Sequence, residues 1–586
     1  MNEPKTTQFN VKLECNTNIP IMDIKNDCYI TQLCESENNV INCLQLYNPL
    51  YTVIKDVSYN VDNRSLNHKY NLHTQDKIYR LEDGIEKCIE APVFIKYSPL
   101  LDPLHYMIGK YDNEKGILRN LPNEHKVLNN NDNNLHKKIK DPNNSSYIDG
   151  FFCYLTSMMK HKHGFVHGLD FYGSYLGIQD YFKVDLVDDI EYLQNYNFFH
   201  NNLGKLFYIN SDDVNKTMQD GTRSHRPQIS VDSSTNLVLS DIEVFSLMGT
   251  ANNAENTPDT AIEEIYKSEH ISNCNESESE SESESESESE SESESESESE
   301  SESESESESE SESEIVYDNE SINSEDTCEY SDNDIPIYGY IKDYPVELIC
   351  IEKCDDTLDS LLETGYVESE NGIAYLFQII MILITYQKCF SFTHNDLHTN
   401  NIMYVHTDEP YLYYQYNNKH YRVPTYGKIL KIIDFGRAIY KFKDKIHCSD
   451  CFDSDGNAYS QYNCNPYIDE SKPIIRPNPS FDLCRLACSM YSFLMDNSPK
   501  NHDICEILNK WIRDDKNKNI LYKKNGDERY PDFKLYKMIV RIVNKHTPQE
   551  QLNDPYFSQF ETQFETTPEL IMNIDEYPAY NQTNEY

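Results

Sequence analysis

Residues 392–405 read FTHNDLHTNNIMYV, placing His394, Asp396 and Asn401 in a polar loop that runs directly into an apolar strand pattern. Thirty-three residues beyond Asn401, IIDFGRA (432–438) ends a second strand pattern on Asp434, Phe435 and Gly436. A carboxylate that takes the proton of an attacking hydroxyl, with an amide and a second carboxylate holding a hard cation against phosphate oxygens, is the equipment phosphoryl transfer needs. Strand ends on a rigid sheet can fix that geometry. The elements around the loop come in a specific order. VELICIEKC (346–354) is a continuous apolar run with a polar end, as a buried strand leaving a sheet would be. TLDSLLE (357–363) predicts a short helix. Ile373, Leu376, Phe377, Ile380, Met381, Leu383 and Ile384 recur at helical spacing and predict a buried helix over about 371–389. NIMYV (401–405) and KILKIID (428–434) are the two strands that follow.

These residues resemble the protein kinase superfamily, whose catalytic loop reads H-R-D-L-x-x-x-N and whose metal-binding motif is D-F-G. The resemblance implies that Asp396 is the catalytic base, that Asn401 and Asp434 ligate Mg²⁺, and that the substrate is ATP. Upstream, VFIK (93–96) resembles the V-A-I-K strand, which gives Lys96 the α- and β-phosphates; on its own the tetrapeptide is an ordinary strand lysine. The ion-pair partner of Lys96 belongs on the next helix, NSSYIDGFFCYLTSMMKHKH (144–163), with Ser145 or Ser146 as its cap. That helix holds no Glu, so Asp149 takes the place, one methylene shorter than the family's usual residue. GFVHGLDFYGSYLGI (164–178) resembles the beginning of the next strand pair. VELICIEKC resembles the strand entering the hinge, where the backbone of Glu352 to Cys354 would bind adenine. Asp482, in PSFDLCRLACSMYSFL (479–494), resembles the helix carboxylate that supports the catalytic loop, and 533–560 reads as the closing helices.

The implied fold is α+β: a two-lobed kinase-like fold with a long disordered acidic insertion in its smaller lobe. The corresponding boundaries are an N-terminal extension (1–45), the first part of the small lobe (46–187), the insertion (188–338), the last small-lobe strand and hinge (339–355), the large lobe (356–560) and a tail (561–586).

The sequence also departs from the family. Gly84 is the only glycine in residues 1–95, so no G-x-G-x-x-G precedes Lys96. Asn395 replaces the arginine that reads an activation-loop phosphate, and no A-P-E follows D-F-G. His398 stands where serine/threonine kinases carry a lysine against the γ-phosphate, as in haspin-like and small-molecule kinases. YLYYQYNNKHYRVPTYG (411–427) reads as an added hairpin beside the active site. His447, Cys448, Cys451 and Cys464 supply soft ligands for Zn²⁺, but adjacent His and Cys rarely reach one metal and no second C-x-x-C completes a site. Asp453, Asp455 and Asn457 match only the start of an EF-hand loop.

Composition bounds the rest. The 586 residues carry a net charge of −49, of which 19 charges lie in the nineteen Ser-Glu pairs of 277–314, leaving −30 elsewhere. That balance argues against coating nucleic acid, where Lys and Arg must neutralise phosphate. The Ser-Glu tract has nothing apolar to bury and cannot offset the entropy of ordering. It reads as a solvated spacer, or as a regulatory or Ca²⁺-attracting polyanion that offers an arm to basic partners. No stretch approaches the roughly 20 apolar residues of a membrane helix. The N-terminus lacks the regions of a signal peptide, so the 17 cysteines are expected to be reduced intracellular thiols. The H-N-D-L-H loop, the long hairpin and the Lys- and Asn-rich composition also resemble kinases of giant DNA viruses, which implies expression in an infected cell and packaging in the virion.

Three functions compete. The first is a serine/threonine-protein kinase acting on an unknown protein substrate with ATP and Mg²⁺. The second is a pseudokinase scaffold with an acidic arm, and the third a small-molecule phosphotransferase.

Overall fold

Apolar residues at strand spacing build the first half of the chain. They give β1 (Asn38–Gln45), β2 (Asn71–Thr74), β3 (Lys77–Glu82), β4 (Ile85–Glu90) and β5 (Val93–Pro99). The computed structural model describes residues 8–209 and 337–582, except 16–19, 21–22, 26–37, 55–63, 83–84, 112–115, 124–133, 188, 465–466, 468–474, 496–501, 524–525, 527, 532 and 564–570. The Ser-Glu tract therefore lies outside the described residues.

Helix α1 (Ser145–His163) follows. Asn144, not Ser145 or Ser146, caps it by accepting the Ser146 N–H at 3.0 Å. Gly164, at φ 69°, ends it in the left-handed conformation that glycine adopts without a Cβ penalty. Next come β6 (Phe171–Asp185), β7 (Phe207–Ile209) and β8 (Tyr338–Glu352). β8 is the centre of the sheet. It pairs antiparallel with β6 along one side, and with β7 and then β5 in succession along the other; β1 lies beyond β6. Both long strands are buried over most of their length, which explains their near-continuous apolar sequence. Helix α1 packs against β6 and β8.

The remaining elements are β9 (Asp356–Thr357), α2 (Leu358–Glu363), α3 (Ser369–Phe390), β10 (Ile402–His406), β11 (Tyr411–Tyr416), β12 (Lys419–Pro424), β13 (Lys428–Ile432), β14 (Ile439–Phe442) and β15 (Lys445–Cys448). After them come α4 (Phe481–Met495), α5 (His502–Trp511), α6 (Phe533–Ile542), β16 (Glu561–Thr562) and β17 (Ile571–Asn573). The fold is mixed α+β. α3 is apolar on nearly every face because β12, β13, β14 and α5 surround it. It has 22 residues, and an 18-residue window of mean hydropathy 1.5 makes it long and apolar enough to cross a membrane, contrary to the expectation that no stretch approaches that length; 89% of that window is buried within the protein. β10 and β13 form an antiparallel pair that carries the two polar loops at their ends.

Several boundaries differ from expectation. Residues 190–209, assigned to the insertion, form two short helices and β7, which joins the main sheet. The expected N-terminal extension contributes β1 and the buried residues Phe9, Val11 and Leu13. The expected tail is also packed: β17 pairs with β11, and Tyr580 stacks on Phe9 and Phe390 at 4.1 and 5.4 Å. The β11–β12 hairpin sits against Phe377 of α3 through Tyr414 and Tyr421, with ring centroids 5.8 and 5.2 Å apart.

Candidate functional site

Strand alternation turns Lys96 of β5 toward α1, and its ammonium stands between two carboxylates. Nζ lies 2.6 Å from Asp149 Oδ2 and 2.7 Å from Asp434 Oδ1. Burial alone would lower the lysine's pKa, but Asp149 and Asp434 outweigh it and hold the group above its ordinary value. Asp149 is 1% exposed and has a second task, since its Oδ1 accepts the backbone N–H of Phe435 at 2.9 Å. One short carboxylate thus ties the β5 lysine to the D-F-G turn. Asp434 sits in the left-handed region at φ 61° with 47% of its side chain accessible. The surrounding protein opposes its charge, yet Lys96 overrides this and the carboxyl is pushed down to about 2.

Residues 394–396 are fixed from below by α4. Asp482 accepts the N–H groups of His394 at 2.9 Å and Asn395 at 3.0 Å, which holds Asn395 at φ 67°. Burial pushes Asp482 up to about 6, against the pull of His394 and those two N–H groups. His394 Nδ1 accepts the Asp396 N–H at 3.3 Å, so its Nε2 carries the proton and donates to Ile433 O at 2.9 Å. Asn395 bonds the Arg437 carbonyl at 2.9 Å and accepts from the Tyr462 hydroxyl, so uncharged contacts replace those of an arginine.

Asp396, Asp434 and Lys96 line one cleft of 360 Å³ with Ser145, Gly436 and Arg437. No residue of the β11–β12 hairpin lines it. Asp396 Oδ1 accepts from the Tyr536 hydroxyl at 2.7 Å, and Oδ2 is 3.4 Å from Arg437 Nη1. Asn401 Nδ2 donates to Asp396 O at 3.0 Å and contacts His398 Nε2 at 3.1 Å, leaving its Oδ1 as a ligand atom. Burial pushes His398 down, so its Nε2 accepts from Asn401 as a neutral imidazole; it is not the cation a lysine would supply. Asp434 and Asn401 each carry a hard oxygen of the kind Mg²⁺ takes, but of the two only Asp434 lines the cleft.

The hinge segment departs from the reading given to it. The Glu352 N–H is already bonded to Asp170 O at 2.9 Å and the Lys353 N–H to Pro92 O at 3.2 Å, which leaves Cys354 as the N–H for a base. The Glu352 side chain turns into an ionic network with Lys431 at 2.5 Å and Lys160 at 3.1 Å, joining β8 to β13 and the end of α1. Phe94, two residues before Lys96 and therefore on the same face of β5, is 49% exposed. Phe94, Arg437 and Tyr536 were not singled out by sequence. Only the period-2 pattern of VFIK could have found the first of them.

A second recess of 220 Å³, lined by Asp102, Lys138, Asp141, Asp450, Asp453 and Asp455 among others, adjoins the cleft. Among the described residues no three of His, Cys, Asp or Glu stand close enough to hold a metal ion. The Zn²⁺ candidate is not assembled: His447 is buried in stacking contact with Tyr440, ring centroids 5.1 Å apart. No protein-family model matches this chain, and neither does any curated protein.

Proposed function

We propose that this chain is a divergent serine/threonine-protein kinase of two-lobed form. β1–β8 with α1 make the smaller lobe, and α2–α6 the larger. The observation that carries the reading is Lys96 bridging Asp149 and Asp434 on the cleft that also holds Asp396. Lys96, fixed by Asp149, would bind the α- and β-phosphate oxygens of ATP. Asp434 and Asn401 would hold Mg²⁺, which supplies charge neutralisation to the transferring phosphate. Asp396 Oδ2 takes the proton as an acceptor hydroxyl oxygen bonds the γ-phosphorus; the bridging P–O bond breaks and ADP leaves with the electron pair. The Ser-Glu tract is assigned to basic partners on charge alone.

Asp396→Asn should abolish transfer while leaving Mg·ATP binding intact, and full turnover in that variant would contradict the mechanism. A binding scaffold is favoured by one specific observation: both Asp396 oxygens already have protein partners. Steady Mg²⁺-dependent turnover would rule the scaffold out. Comparing transfer to proteins with transfer to small alcohols separates the protein kinase from the small-molecule phosphotransferase.

A further inference from the structure

Among the described residues that line the cleft, Asp396 is the carboxylate held by a residue from the closing helices. Its Oδ1 accepts from the Tyr536 hydroxyl of α6 at 2.7 Å, while its side chain remains 23% exposed on the cleft. Tyr536 is itself braced. Arg485 Cζ lies 4.9 Å from its ring centroid, Phe533 stacks on it at 5.3 Å, and Phe481 tilts against it at 6.2 Å. Phe481 and Arg485 flank Asp482 on α4, and Asp482 fixes the backbone of the same catalytic loop. α4 therefore steadies the loop twice: its carboxylate holds the main chain, and its Phe and Arg hold the tyrosine that grips the Asp396 side chain. Burial raises the Tyr536 pKa, so the group is a neutral phenol, donating while the carboxylate accepts.

We propose that Tyr536 is a positioning residue for the base Asp396. By holding Oδ1 it fixes the carboxylate plane and presents Oδ2, with Arg437 beside it, to the acceptor hydroxyl in the cleft. A carboxylate on its own turns about its last torsion through a broad well, and an anchored base avoids that loss of orientation. Tyr536 neither touches nucleotide nor exchanges a proton in the reaction. This role rests on the phosphotransfer reading above.

The test uses the full chain and Tyr536→Phe, which keeps the stacked ring and removes only the hydroxyl. The expected result is a fall in kcat of about tenfold, with KM for Mg·ATP unchanged within about twofold, since only transition-state placement is lost. Thermal unfolding of Tyr536→Phe, Asp396→Ala and the double variant gives a readout that needs no activity. The Tyr536→Phe loss of stability should vanish once Asp396 is alanine. Two results overturn the role alone: wild-type kcat in an active Tyr536→Phe enzyme, or additive stability losses. A wild-type chain that binds Mg·ATP but transfers no phosphate to any acceptor overturns the phosphotransfer reading, and this role with it.

Discussion

Removing the Asp149 carboxylate should unlock the site at its hub. Asp149→Ala deletes the 2.6 Å contact with Lys96 and leaves the Phe435 N–H without its acceptor at 2.9 Å. A hydrogen bond to a charged group contributes about 1.5–3 kcal/mol, and a stranded buried N–H costs about 1–3 kcal/mol. Lys96 keeps Asp434 at 2.7 Å, so the ammonium is not left alone and the total stays at about 3–5 kcal/mol. For a folded unit of this size the entropy of unfolding is about 1 kcal/mol per degree, which converts the loss to a fall in Tm of about 3–5 °C. Lys96 would then turn wholly onto Asp434 and compete with the cation, weakening Mg·ATP binding about tenfold or more. Calorimetric unfolding and titration of the same variant with Mg·ATP measure both numbers. An unchanged Tm together with unchanged affinity would refute the argument that Asp149 couples the lysine to the D-F-G turn.

Other outcomes follow from single contacts. Glu347 is fully buried, and burial pushes its carboxyl well above the ordinary 4.5. The wild type therefore loses stability as pH rises from that value until the folded carboxyl ionises. Glu347→Gln lacks this loss, and its advantage should grow as pH rises from about 5 in denaturant titrations; a constant difference would show that the buried acid is already charged. Asn144 caps α1 and donates to Leu100 O and Lys138 O at 3.0 Å each, so Asn144→Ala should cost about 2 kcal/mol or more by urea unfolding, and a loss under about 0.5 kcal/mol would contradict the cap. Phe94→Ala, on the Lys96 face of β5, should weaken ATP binding about three- to tenfold at constant Tm if its half-exposed ring covers the base, whereas equal affinities would place the base elsewhere.

The sequence made most of this site legible because its contacts are short-range or lie on regular elements. His394, Asp396 and Asn401 fall within eight residues, and Asp434 lies two residues past β13, the strand paired with β10, which starts just after Asn401. Asp149 could be found because α1 repeats its apolar residues at helical spacing and offers no other carboxylate. Tyr536 could not be found: it lies 140 residues from Asp396, on an amphipathic helix where an aromatic residue reads as packing. Glu352 reads as offering its backbone to adenine, but its N–H is taken by Asp170 O, and its side chain is held by Lys160 of α1 and Lys431 of β13, partners too far along the chain to be read from VELICIEKC. β7 was missed because three residues, FYI, carry too little pattern to stand apart from a polar stretch.

The most direct measurement is transfer of labelled γ-phosphate from Mg·ATP by the purified chain, to itself and to generic protein acceptors, with Asp434→Ala alongside. The account predicts Mg²⁺-dependent labelling on Ser or Thr that disappears in the variant. Binding of Mg·ATP with no labelling of any acceptor, or labelling that survives Asp434→Ala, would contradict it.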